Sequence, residues 1–227
     1  MEVNVQRPSL KERLRRLIAQ KTERPPESDD LRREREARRR IDALALRRAS
    51  GIEQEKMFRE AELRHLDIRL PAEFRALAAR LHSLLDQPEL IAIAGDRGRG
   101  KTWLGCGLIN AFCDALRPAI YRRTARFFEE LSTADWSDKE WVRRNYVTPE
   151  LLVLDEVQVR DADRVWQDNE LTTLIDRRYA RCSATLLLSN FTPEMLANNL
   201  GESIQRRLSE SGGTWPTPWP RIKEILT

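Results

Sequence analysis

The sequence predicts an α/β fold, a mostly parallel sheet held between helices and preceded by a small helical N-terminal domain. Three observations carry this expectation. After residue 51, short apolar runs alternate with helical patterns. The first of those runs opens directly onto a glycine-rich loop and a helix start. The first fifty residues also differ in charge from the rest. They hold fifteen Lys/Arg against nine Asp/Glu, a net of +6, whereas the remainder holds 25 against 27, a net of −2. Strands alternating with helices imply parallel pairing covered on both faces, which makes the strands continuously apolar.

The N-terminal arm, residues 1–50, reads as two helices. Ser9 and Glu12 have capping-box spacing, and Leu10, Leu14, Leu17 and Ile18 then share one helical face. Pro25 and Pro26 interrupt, and Ser28, Asp29 and Asp30 can cap a second helix from about Leu31 to Ala49, ended by Ser50-Gly51. Its apolar stripe is thin, with Ile41, Leu44 and Leu31. Such a helix is an exposed rod suited to docking. Its excess positive charge fits nucleic acid or an acidic protein surface. The plainer alternative is a solvated, arginine-rich helix.

From residue 51 to 227 the pattern is that of one compact domain. Strands are expected at Leu90–Ala94, Ala119–Arg122, Leu151–Asp155 and Ala184–Ser189. Helices are expected at Lys101–Leu116, Thr124–Leu131 and Asn169–Arg181, the last with Leu171, Leu174, Ile175 and Tyr179 on one face. Trp215 to Pro220 reads as a tail packed on the surface. A hydrophobic content of 41% suffices for a core, and 33% charge marks a soluble protein. No run reaches the length of a membrane helix, and the N-terminus lacks the apolar stretch of a secretory signal. The three cysteines, Cys106, Cys113 and Cys182, have no metal-type spacing, and their odd number argues against a disulfide framework. Cys106 and Cys113 lie in the helix expected after the glycine loop and read as buried free thiols, and a cytoplasmic location follows.

Gly95-Asp96-Arg97-Gly98-Arg99-Gly100-Lys101-Thr102 matches G-x-x-x-x-G-K-[ST] in full. The glycines let main-chain N–H groups turn around phosphate oxygens. Lys101 supplies a point charge for the β- and γ-phosphates, and Thr102 offers a hydroxyl to Mg²⁺. Leu151-Leu-Val-Leu-Asp155-Glu156 describes a buried strand that delivers two carboxylates to the same edge. Asp155 would help hold Mg²⁺, and Glu156 would act as general base on the attacking water. The gap from Lys101 to Asp155, 54 residues, leaves room for a helix–strand–helix excursion and so for an additional strand between the two motif strands. That arrangement favours a hydrolytic ATPase over a simple nucleotide kinase. Asn190, ending the run Thr185–Ser189, can hold the water between Glu156 and the γ-phosphate. It also fits a turn before a helix capped by Thr192 with Pro193 at its first position. Arg122, Arg123 and Arg126 beside Phe127 and Phe128 offer a stacking and phosphate-tracking set for DNA. Helical spacing instead favours core positions for the two Phe rings. His65 and His82 are isolated and receive no role.

In this order the motifs resemble the AAA+ ATPases of the DnaC/IstB group. The resemblance runs over roughly residues 50–221 and includes Glu170-Leu, Ile175-Asp-Arg-Arg-Tyr179, Leu-Leu-Ser-Asn-Phe-Thr-Pro-Glu, and Asn199-Leu-Gly-Glu-Ser-Ile-Gln-Arg-Arg-Leu208. It is closer to DnaC-type replicative helicase loaders than to IstB-type transposition helpers. It implies an AAA+ P-loop NTPase core with ATP and Mg²⁺ as cofactors, and hydrolysis at a subunit interface of an oligomer. It also implies contact with single-stranded DNA and docking on a replicative DNA helicase through residues 1–50. The implied catalytic residues are Glu156, Asn190 and Arg207, the last as an arginine finger. The implied nucleotide-binding residues are Gly95 to Thr102 with Trp103 and Arg221, and the metal ligands Thr102 and Asp155. Trp103 stands where the family usually has His. Arg97 and Arg99 occupy positions commonly small or Pro, and Ser203 falls where an Arg often follows Gly-Glu. An IstB-type helper would act with a transposase on target DNA. A nucleotide-gated adaptor without turnover is the rival outside the enzymes.

Overall fold

A computed structural model describes residues 29–52, 60–159 and 163–226. The chain divides into two compact units, residues 1–40 and 41–227. The helix expected from Ser9 to Ile18 lies outside the described residues. Helix α1 (Asp29–Ala49) begins with Asp29 and Asp30 and ends with Arg47 and Arg48, the charge order that complements its dipole. Gly51, at φ +78°, turns the chain after it. Leu31, Ile41 and Leu44 are exposed, while Ala43 is buried and Leu46 packs on the core.

The larger unit continues with α2 (Ala72–His82), β1 (Leu90–Ala94), α3 (Lys101–Asp114), β2 (Ala119–Arg123), α4 (Thr124–Thr133), α5 (Lys139–Val147) and β3 (Leu151–Asp155). It ends with α6 (Arg164–Ala180), β4 (Ala184–Ser189), α7 (Pro193–Asn199), α8 (Glu202–Glu210), β5 (Gly213–Pro216) and α9 (Ile222–Leu226). The five strands form one parallel sheet in the order β2-β3-β4-β1-β5. The strand β4 lies between β1 and β3 in the sheet, whereas β2, the strand in the sequence gap between the two motifs, lies at the edge beside β3. Alternate strand residues feed two cores. Ile91, Ile93, Val153, Leu186 and Leu188 pack under α2 and α3. Leu90, Ala92, Leu152, Leu154 and Leu187 pack under α4 to α8. Phe127 and Phe128 are buried in this second core, so neither presents a face for stacking bases. Cys106 and Cys113 are buried free thiols and Cys182 is exposed. Burial pushes the Cys113 thiol up to about 11, which keeps it protonated at neutral pH.

Three expectations need correction. Helix α6 starts at Arg164, five residues earlier than expected, and its inward face is completed by Arg178, not by Tyr179. The positions 171, 174, 175 and 178 follow helical spacing, and a cation at the last of them hides the pattern. Arg178 is fully buried. Its Nε donates to Thr185 Oγ1 (2.8 Å), its Nη2 to Ala184 O (2.6 Å), and its Nη1 to the carbonyls of Tyr146 (3.0 Å), Val147 (3.1 Å) and Pro149 (2.9 Å). Tyr146 and Val147 end α5, where carbonyls have no helical partner and carry partial negative charge. Arg178 therefore fastens the end of α5 to the start of β4. Burial pulls its guanidinium down to about 9, which still leaves it cationic at neutral pH.

The second correction concerns Trp215 to Pro220, which does not form a tail packed on the surface. Gly213–Pro216 adds an edge strand beside β1, and Trp219 is buried with its ring edge-on to Phe74 at 5.4 Å. The third is the length of α3, which stops at Asp114; Leu116 adopts a left-handed φ of +60°. Helices α2, α5 and α9 were not expected from the sequence. Among the described residues no helix is long and apolar enough to cross a membrane.

Candidate functional site

Strand β1 delivers the chain to a turn at the carboxyl edge of the sheet. Gly95 has φ +144°, and a Cβ there would lie 2.0 Å from Thr217 Oγ1. Gly100, at φ +82°, starts α3, and a Cβ there would lie 2.9 Å from the Phe74 ring. Glycine is required at both points, by conformation and by space. Lys101 is buried, and its ammonium donates to the carbonyls of Gly95 (2.6 Å) and Asp96 (2.8 Å). Burial lowers its pKa, and the nearby carboxylates of Asp155 and Asp96 oppose that shift. An incoming polyanion would add to their effect and favour the charged ammonium.

Strand β3 ends at Asp155, which is the centre of a hydrogen-bonded group. Its Oδ2 accepts from Thr102 Oγ1 (2.7 Å) and from the buried Tyr121 hydroxyl (2.8 Å), and its Oδ1 accepts from the Glu156 N–H (2.7 Å). Burial, then the Asp155 carboxylate, hold the Tyr121 phenol well above the usual tyrosine range, so it stays a donor. The Thr124 hydroxyl donates to the Asp155 carbonyl at 3.0 Å. Glu156 itself is left-handed, φ +54°. That turn returns Val157 to β4, where its N–H meets Leu188 O (2.8 Å) and its carbonyl accepts from Ser189 Oγ (3.0 Å).

Lys101, Thr102, Trp103, Asp155, Glu156 and Asn190 line one cleft of about 970 Å³, with Arg97, Gly98 and Gly100. The structure brings the glycine loop, the β3 acids and the β4 amide together as the motif order required. Thr192 caps α7 by accepting from Met195 N–H (3.2 Å), and Pro193 takes the first turn, so Asn190 is both a turn residue and a cleft residue. Trp103 is half-buried against Phe74, ring centroids 6.0 Å apart. Arg221 lies along the loop, its Cγ 3.3 Å from where a Gly98 Cβ would sit.

Arg207 does not line this cleft. Its Nε pairs with Asp176 at 2.8 Å, and its guanidinium lies 5.3 Å from the Tyr179 ring centre. Its neighbour Arg206 is exposed and faces Glu210 at 3.8 Å. Of the arginines considered for DNA, Arg122 commits its Nη1 to the carbonyls of Ser50 (3.1 Å) and Tyr121 (2.7 Å). Arg126 pairs with Glu129 and Glu130, each at 2.9 Å. His82 accepts from Arg64 Nε at 2.9 Å, and burial lowers its pKa.

Sequence reasoning missed two groups at the site. Tyr121 was hidden in an edge strand, and only the β2–β3 register, Tyr121 opposite Val153, brings it to Asp155. The segment from Thr217 to Ile222 reaches the loop by three hydrogen bonds. Thr217 N–H pairs with Ala94 O (3.0 Å), Trp219 Nε1–H with Arg99 O (2.9 Å), and Ile222 N–H with Gly98 O (3.0 Å).

A parallel sheet of order β2-β3-β4-β1-β5, with the glycine loop after β1 and paired acids at the end of β3, defines an AAA+ P-loop NTPase core. Comparison with known proteins narrows the class. The chain belongs to the IstB-like ATP binding protein family, whose sequence profile matches residues 12–204. It is 30% identical over 104 residues to an insertion-sequence ATP-binding protein, y4pL, of Sinorhizobium fredii, covering 45% of this chain and 42% of that one. It is 29% identical over 129 residues to the protein YdaV of Escherichia coli, covering 55% of this chain and 50% of that one. The chain spans about half the length of the curated relatives it matches.

Among solved structures, the DnaC helicase loader is similar at TM-score 0.59 and 17% identity, over 71% of this chain and 99% of that one. DnaI is similar at TM-score 0.59 and 18% identity, over 74% and 93%. AMPPCP-bound DnaA of Aquifex aeolicus is similar at TM-score 0.59 and 19% identity, over 71% and 51%. At these identities the likeness is one of fold.

Proposed function

We propose that the protein is an ATPase that couples its nucleotide state to its hold on a larger partner working on DNA. The observation that carries this reading is the convergence of Lys101, Thr102, Asp155, Glu156 and Asn190 on one cleft at the carboxyl edge of the sheet. The residues fit the cofactors. The loop places glycines where side chains would collide, and Lys101 sits on two carbonyls that phosphate oxygens can replace. Thr102 and Asp155 put a hydroxyl and a carboxylate within 2.7 Å, the all-oxygen set that a hard cation takes. Mg²⁺, when bound, neutralises charge on the phosphate oxygens. Glu156 accepts the proton of the attacking water, and Asn190 orients that water.

Arg207 is proposed to serve the site of a neighbouring copy, so that turnover reports assembly. In the single chain Asp176 and Tyr179 keep it folded down on α6. Two variants test this. Lys101→Ala loses nucleotide binding, and Arg207→Ala binds ATP without turning it over. Mixed, the two proteins are expected to recover part of the wild-type rate, because intact Arg207 on the first completes the intact cleft of the second. Steady phosphate release from the mixture no higher than from either alone would place the finger elsewhere.

The partner reading follows from the motifs and the arm. Residues 1–50, with a net charge of +6, would dock on a replicative helicase, with single-stranded DNA in contact with the assembled ring. The relation to an insertion-sequence ATP-binding protein favours a second reading, a transposition helper that acts with a transposase on target DNA. Retention of purified helicase or of purified transposase on the immobilised protein, with ATP present, separates the two. Helicase binding that survives deletion of residues 1–50 would remove the docking role from the arm.

A further inference from the structure

We infer that the segment Thr217–Ile222 is a strap that sets two phosphate-facing N–H groups of the glycine loop, with Trp219 as its positioning residue. The inference deepens the reading of Gly95–Thr102 as a triphosphate cradle and rests on it. In a trans peptide the carbonyl of one residue and the N–H of the next point in opposite directions. The Ile222 N–H holds the Gly98 carbonyl at 3.0 Å, which turns the Arg99 N–H away from the strap. The Trp219 indole N–H holds the Arg99 carbonyl at 2.9 Å, which turns the Gly100 N–H away likewise. Neither the Arg99 nor the Gly100 N–H has a protein partner among the described residues. Both precede the first turn of α3, where free donors and the helix dipole make an anion site.

The strap is itself anchored. Trp219 is 4% exposed, packed edge-on against Phe74, and the Phe74 ring also abuts the site of a Gly100 Cβ. At its start, Thr217 N–H continues the β1–β5 ladder through Ala94 O, one residue before the loop begins. Loop and strap are thus joined at Ala94, Gly98 and Arg99. Flexible loops lose affinity because ordering them on binding costs conformational entropy. A loop whose carbonyls are already tied outward avoids that cost.

The test uses the full chain in magnesium-free buffer, titrated in a calorimeter with ATP and, separately, with inorganic tripolyphosphate. Trp219→Phe keeps a ring against Phe74 and removes the N–H. Ile222→Pro removes the other N–H at the first position of α9, where the φ of proline fits. Each variant is checked for native fold by near-ultraviolet circular dichroism; where Trp219→Phe fails to fold, Ile222→Pro decides alone. Both ligands are expected to bind about tenfold more weakly to either variant, the effect of misaligning one donor to a charged phosphate. Unchanged tripolyphosphate affinity in a folded variant overturns the strap. Lys101→Ala is the control. If it too binds tripolyphosphate like the wild type, the cradle itself is misassigned, a failure distinct from that of the strap alone.

Discussion

Glu156→Gln is expected to bind ATP as the wild type does and to hydrolyse it about 10²–10⁴-fold more slowly, the range removed with a general base. The substitution keeps the size of the side chain and its main-chain N–H bond to Asp155 Oδ1. It removes only the ability to accept a proton from water in the cleft shared with Asn190. Phosphate release in a single turnover, set beside the dissociation constant for ATP, separates chemistry from binding. A variant that kept full turnover would move the base to another residue. The same variant is expected to trap the ATP-bound form. Any partner that binds only that form should accumulate on it in a pull-down.

The second large effect is structural. Arg178→Met is expected to destabilise the domain by about 3–5 kcal/mol, because it leaves four carbonyls and the Thr185 hydroxyl without the donor they share. For a domain of this size that is a fall in the thermal midpoint of about 10 °C. Methionine replaces the apolar stem of arginine but ends short of the guanidinium, so the loss combines the unpaired acceptors with the space the guanidinium leaves. Arg178→Lys is expected to recover less than half of the loss, since an ammonium is a compact point charge and cannot span partners on α5 and β4. A thermal midpoint for Arg178→Met within a degree or two of the wild type would show that water replaces the guanidinium at no penalty.

The parts of the fold that could be read from sequence are those fixed by local rules. The four expected strands were legible because each holds a run of three to five apolar residues too short for a helix and bounded by polar or turn residues. The loop and the acids at the end of β3 were legible because phosphate and cation chemistry admit few residue types at fixed spacing. What escaped notice depends on tertiary context. The strand Gly213–Pro216 is four residues long, mostly exposed and rich in Pro and Trp, and it exists only because β1 offers an open edge. Arg178 fills an apolar position with a cation, which helical periodicity cannot flag. Tyr121 reaches Asp155 from the neighbouring strand, a contact set by register alone. Helix α5 buries Val142, Tyr146 and Val147 within a run dominated by charge, so its pattern was too sparse to be seen.

The left-handed backbone at Glu156 has a consequence for how the protein would evolve. Holding a residue with a Cβ at φ +54° costs about 1–2 kcal/mol, and glycine escapes that cost. A library randomised at this codon and sorted only for survival of heat should therefore drift toward Glu156→Gly, while the same library sorted for ATP turnover should return glutamate. The two outcomes would divide the population at a single position, with the thermally fittest clones being those that no longer hydrolyse ATP.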